Sequence, residues 1–167
     1  MIYVTPMSQL PRIVSQSGAS HLITLLTAGS DFDRPPEIDR SRHLHLTMHD
    51  ITDPRPGLTP PAENHVQELL EFAAGWDRQS ALVINCYAGI SRSTAAAYVI
   101  CCAIQPERDE CELARVLREK SPSATPNSLI VSHGDRLLGR QRRMECAIAE
   151  IGRGAEAFEG EPFCLEV

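Results

Sequence analysis

Hydrophobic positions along this chain follow two rhythms, short runs first and helical stripes later. Ile2-Tyr3-Val4 reads as a strand, and Ser8 to Ser17 as a helix that Gly18 ends. Leu22 to Thr27 is a near-continuous apolar run, expected of a buried strand. His43 to His49 alternates polar and apolar, the two-residue period of a strand with one apolar face. Ala81-Leu82-Val83-Ile84 is short and apolar throughout, the pattern of a central parallel strand covered on both faces. Asp31 to Asp39 and the Pro/Gly-rich stretch Asp50 to Pro60 read as loops. Between the last two strands, Val66, Leu69, Leu70 and Ala73 recur at the spacing of an amphipathic helix.

The second half is helical. Helices are expected over Ser93 to Ile104, Asp109 to Lys120 with Asp109 as cap, Asn127 to Leu138, and Arg142 to Ile151, where Gly152 and Gly154 stop the last. Ser121 to Pro126 is a loop, and Pro162-Phe163-Cys164-Leu165 is apolar enough to dock on the core. Strands alternating with helices, then helices alone, predict an α/β sheet with helices on both faces. At this length the simplest organisation is one domain over 1–167, with a core at about 20–140 and a C-terminal helix and tail at 142–167.

Composition narrows the partners. A net charge of −6 disfavours nonspecific nucleic-acid binding, yet leaves room for a small focused positive pocket. Lys120 is the only lysine, which with abundant alanine points to a GC-rich, bacterial-type genome. The six cysteines form no Cys-x-x-Cys pair, so no zinc site is expected. No secretory leader or bilayer-length apolar run is evident, and the expectation is a cytoplasmic protein with reduced thiols and no membrane partner.

One segment carries chemistry: Ile84-Asn85-Cys86-Tyr87-Ala88-Gly89-Ile90-Ser91-Arg92-Ser93-Thr94. A strand delivers Cys86 into a loop that Gly89 lets turn sharply, and a helix begins just beyond. Helix N-termini attract anions, because their first amides are unpaired and the dipole end is positive. That field favours a thiolate, and hence a nucleophile. Arg92 adds a planar, permanently charged fork matched to two phosphate oxygens. Cys102 and Arg108 repeat the spacing without the context: no glycine lies between them, Pro106 and Glu107 do, and the segment ends a helix. Cys102 is therefore expected to be a packed core residue.

The strand, Cys-x5-Arg-Ser loop and helix resemble the cysteine-based protein tyrosine phosphatases, particularly the small dual-specificity group, over roughly residues 20–140. The resemblance implies a mostly parallel sheet of four to five strands, hydrolysis of phosphomonoesters and no metal or other cofactor. It assigns Cys86 as nucleophile, Arg92 and the amides of Tyr87, Ala88, Gly89, Ile90, Ser91 and Arg92 as phosphate ligands, and Ser93 as partner of the departing sulfur. It also calls for an aspartate general acid, for which Asp50 and Asp53 both qualify; Asp50 fits the phase of the preceding strand better. Asn85 stands where the family usually has histidine, and is expected to hold the loop through its amide. Asn127, in Thr125-Pro126-Asn127, would position water or the loop, or simply cap a helix.

Neutral residues at 87, 88 and 90 favour a phosphotyrosine protein or another aryl phosphate over a highly charged inositol headgroup, with phosphoserine, nucleotide and RNA 5′-phosphate substrates left open. A noncatalytic phosphate-binding module and a sulfurtransferase using a Cys86 persulfide are the rival readings. His43, His45 and His49 are expected on one polar strand face, with His49 beside Asp50. Arg136, Arg140, Arg142 and Arg143 are expected at solvated helix ends.

Overall fold

The computed structural model describes all of residues 1–167. Five strands form one sheet: β1 (Ile2–Pro6), β2 (His21–Leu26), β3 (His43–Thr47), β4 (Leu82–Cys86) and β5 (Phe163–Leu165), in the order β3-β2-β4-β1-β5. The first four are mutually parallel and β5 is antiparallel to β1. β4 is central and buried at every position, as its uninterrupted apolar run requires. It extends two residues beyond the expected end, so Cys86 is its final residue, paired in register with Leu25 and Pro6.

Side-chain alternation divides β4 between two layers. Leu82, Ile84 and Cys86 join the larger core, while Val83 joins a smaller one with Leu10, Ile13, Val14, Leu22 and Ile38. Helix α1 (Leu10–Ser17) covers the smaller face, after a 3₁₀ turn at Met7–Gln9 where the sequence predicted continuous helix. Gly18 ends α1 in the left-handed conformation, as expected.

The larger face carries α2 (Glu63–Gly75), α3 (Arg92–Ile104), α4 (Glu110–Lys120), α5 (Ser128–Leu137) and α6 (Arg143–Ile151). α3 is buried from Arg92 to Cys102, which suits an Ala-rich helix enclosed by the sheet and its neighbours. Gly134 of α5 lies so close that a Cβ there would meet Val99 at 2.7 Å. Asp109 and Asn127 cap α4 and α5, each side chain accepting from two backbone amides. The tail does dock: Phe163 and Leu165 are buried as β5 covers the edge of β1.

Two expectations change. β3 ends at Thr47, so His43 and His45 stack at 5.8 Å while His49 leaves the strand and accepts a bond from the Thr59 amide. No group of three metal-binding side chains forms. Of the four arginines, Arg136, Arg142 and Arg143 are solvent-exposed at helix ends as expected and only Arg140 is drawn inside, while each meets a carboxylate. Arg136 pairs with Glu63, Arg142 with Glu145, and both Arg140 and Arg143 with Glu110. Arg140 is largely buried, since an acidic residue inside α4 must be neutralised where it is desolvated.

Candidate active site

The parallel strands all end at one edge, and the loops leaving them build the site there. Residues 87–91 leave β4 and curl before α3 begins at Arg92. Every outward carbonyl of this loop is held by a different part of the chain. Tyr87 O accepts from the Met7 amide (3.1 Å), Ala88 O from Gly160 (2.9 Å), Ile90 O from Thr125 (2.9 Å) and Ser91 O from Asn127 (3.3 Å). In a trans peptide the carbonyl and the next N–H point in opposite directions. Pulling these carbonyls out therefore turns the amides of Ala88, Gly89, Ser91 and Arg92 inward. Gly89 makes the curl possible: its φ is +69°, and a Cβ would lie 2.7 Å from Pro6 N.

Cys86 is 2% exposed, and its Sγ lies 3.1 Å from Ser93 Oγ, itself fully buried in the first turn of α3. The Ser93 hydroxyl thus addresses the sulfur, beyond any role at the helix end. Arg92 is held from behind, its Nη1 donating to Met48 O at 2.9 Å and approaching Thr27 Oγ1 at 3.4 Å. Its Nε is buried without a partner, and Asp50 Oδ2 at 3.9 Å is too far for a hydrogen bond. An oxyanion cupped by the loop would satisfy that donor.

The two acid candidates separate. Asp50 sits over the loop, its Oδ1 accepting from Ser91 Oγ (2.7 Å) and Asn127 Nδ2 (2.8 Å). Asp53 is exposed, and its side chain meets only Thr52 Oγ1, at 3.4 Å. Asn127 therefore does two jobs, capping α5 with Oδ1 and tethering Asp50 with Nδ2. Tyr87 forms the rim and is 59% exposed. One side of the mouth opens into a cleft of about 720 Å³ lined by Ile90, Ser91, Ser123, Thr125, Arg153 and Phe158, and the other meets Arg55 and Ser128.

Asn85 faces away from the sulfur, into the smaller layer. Its Oδ1 accepts from Thr24 Oγ1 at 2.8 Å, and Thr24 in turn meets His43 Nε2 at 3.0 Å. Since the threonine proton is given to Asn85, His43 must donate, which fixes the neutral Nε2–H tautomer. Burial, with His45 and Arg34 adding to it, lowers the His43 pKa to about 4, in keeping with that form. Asn85 Nδ2 is buried without a partner, so the amide is only half satisfied. Cys102 is buried as expected, and burial raises its pKa to about 12, an inert thiol.

Sequence reasoning missed the residues that hold the site from outside: Thr27, Met48, Thr24, Met7 and Gly160. None carries a local signal, because each acts through a backbone group or a hydroxyl brought in from a distant strand end or tail.

No protein-family model matches this chain, and no curated protein does. Solved structures do. DUSP15 aligns with 89% of this chain and 90% of its own, at 16% identity and a TM-score of 0.61. The human tyrosine phosphatase-like serine/threonine/tyrosine-interacting protein aligns over 84% and 92%, at 19% identity and a TM-score of 0.62. PTPMT1 in complex with PI(5)P aligns over 84% and 94%, at 12% identity and a TM-score of 0.62. The chain has the α/β fold of the dual-specificity protein tyrosine phosphatases.

Proposed function

We propose that this protein is a cysteine-dependent phosphomonoester hydrolase of the protein tyrosine phosphatase type. The reading is carried by the end of β4: the Ser93 hydroxyl lies on the Cys86 sulfur, the Arg92 Nε just beyond is buried without a partner, and the carbonyls of the loop between them are held from outside. A passive anion-binding module needs the loop and the arginine, but has no use for the hydroxyl–sulfur contact.

In the first step the Cys86 thiolate attacks phosphorus, forming an S–P bond as the P–O bond breaks in line. Asp50 gives its proton to the departing oxygen. Arg92 and the amides of residues 87–92 take up the charge on the equatorial oxygens. In the second step water attacks phosphorus and passes its proton to the Asp50 carboxylate. The S–P bond breaks, and Ser93 donates to the returning thiolate. Phosphate leaves and the enzyme is restored.

The substrate is a phosphotyrosine protein or another aryl phosphate. One structural neighbour holds PI(5)P. Here the loop offers Tyr87, Ala88 and Ile90 with no lysine, which is unfavourable to a polyanionic headgroup.

Turnover of p-nitrophenyl phosphate without added metal tests this, using wild type and Cys86→Ser. Activity lost in the variant while vanadate binding persists supports the reading. Tight vanadate binding by an inactive wild type would favour the binding module, and thiosulfate-to-cyanide transfer without phosphatase activity the sulfurtransferase.

A further inference from the structure

Beyond α6 the chain does not leave the domain. Residues 152–161 pass along the outer side of the phosphate loop and line the adjoining cleft before the chain enters β5. Gly152 O accepts from Arg118 Nη2 at 2.7 Å, and the Ala155 amide donates to Pro122 O at 2.8 Å. The strap then meets the phosphate loop by two routes. Directly, the Gly160 amide donates to Ala88 O at 2.9 Å. Indirectly, the Gly154 amide donates to Thr125 Oγ1 at 3.1 Å, and the Thr125 amide holds Ile90 O. Both glycines sit at close approaches: a Cβ on Gly154 would meet Ser123 backbone at 2.5 Å, and one on Gly160 would lie 3.1 Å from Gly89 O. Gly160 is the only buried residue of the segment. A bond from Ser8 Oγ to Glu159 Oε1 (2.7 Å) ties the strap to the turn whose Met7 amide holds Tyr87 O.

We infer that this strap is a working part of the active site, with Gly160 and Thr125 as positioning residues that set the oxyanion affinity of the loop. The inference rests on the phosphatase reading and concerns how its cradle is kept in shape. With the Ala88 carbonyl fixed, the Gly89 amide is aimed inward before any anion arrives. Without that bond the peptide can rotate, and each binding event must first restore its orientation. Nothing in the strap touches the reacting atoms, so its contribution is orientation alone.

Three variants test this: Gly160→Pro, which deletes the amide; Gly160→Ala, which keeps it; and Thr125→Val, which removes the hydroxyl that Gly154 uses. Tungstate affinity by calorimetry is read beside kcat and KM for p-nitrophenyl phosphate and the thermal midpoint. Gly160→Pro and Thr125→Val are expected to weaken tungstate binding by about five-fold, the equivalent of one lost hydrogen bond. kcat should fall with it, and Gly160→Ala, which adds the same crowding Cβ near Gly89 O but keeps the amide, should lose clearly less than Gly160→Pro. Should Gly160→Pro fail to fold, Thr125→Val decides alone. Wild-type tungstate affinity in the folded Pro and Val variants would overturn the inference. A wild type that neither binds tungstate nor turns over would sink the phosphatase reading itself, which separates the two failures.

Discussion

Asn127 Nδ2 donates to Asp50 Oδ1 at 2.8 Å, across 77 residues of chain. With Ser91 Oγ on the same oxygen, the carboxyl group is fixed through Oδ1 while Oδ2 faces the Arg92 side of the site. This fastening distinguishes Asp50 from Asp53 better than any count of residues to the nucleophile.

Replacing Asp50 with Asn removes the proposed proton donor and nearly preserves the shape. Hydrolysis of phenyl phosphate, a poor leaving group, should slow by about 10²- to 10⁴-fold. p-Nitrophenyl phosphate should suffer much less, and Asp53→Ala should leave both near wild type. Equal losses on the two esters, or a larger loss from Asp53→Ala, would reverse the assignment.

Asn127→Asp separates the two jobs of that side chain. The cap on Leu129 and Ile130 survives, because a carboxylate oxygen accepts as the amide oxygen did. The donor to Asp50 is lost and two carboxyl groups face each other. The thermal midpoint should move little, while phenyl phosphate turnover drops more than p-nitrophenyl phosphate turnover. Parallel loss on both esters would argue against the tether.

Ser93→Ala leaves the first step intact and hinders the second, where sulfur must depart. Rapid mixing with p-nitrophenyl phosphate should show a burst of nitrophenolate followed by slow turnover, the steady rate falling by about ten-fold for one buried charge-assisted bond. A slower burst with no change in steady rate would place the hydroxyl elsewhere in the mechanism.

Gly89→Ala combines a left-handed φ with a Cβ 2.7 Å from Pro6 N. A cost of at least about 1 kcal/mol in stability is expected, with tungstate affinity lost as the curl opens. Urea midpoints and calorimetry read the two effects; wild-type binding would show that the curl does not depend on glycine.

His43 makes stability pH-dependent. Its folded pKa of about 4 lies below the ordinary value of 6.5, so between these values the unfolded chain binds the extra proton. The contribution is complete above about pH 6.5 and disappears as pH falls towards 4, amounting to about 1 to 2 kcal/mol once partial exposure of the ring is allowed for. Urea midpoints of wild type should therefore fall between pH 7.5 and pH 4.5 by more than those of His43→Gln. Identical slopes would remove the ring from the account.

What the sequence disclosed was local. Strand, loop and helix around Cys86 are contiguous, so apolar run, glycine and following helix could be read together, and the same reading set Cys102 aside. The phase of β3 favours Asp50, and its carboxylate does reach the loop at Ser91. Asn85 was recognised as unusual, but its half-satisfied amide depends on Thr24 of a neighbouring strand. Arg140 shows the opposite failure: on a helix map it looks solvated, yet Glu110 from another helix draws it inside. Nothing near Gly160 announces that its amide reaches Ala88, since the partner lies 72 positions earlier.

β5 also has a consequence for synthesis. Until a ribosome has made Phe163 to Leu165, the outer rim of β1 presents unpaired amides and carbonyls, a template for pairing with another emerging polypeptide. The last strand thus seals the sheet late, and a chain stalled before it would be more prone to clump than a finished one.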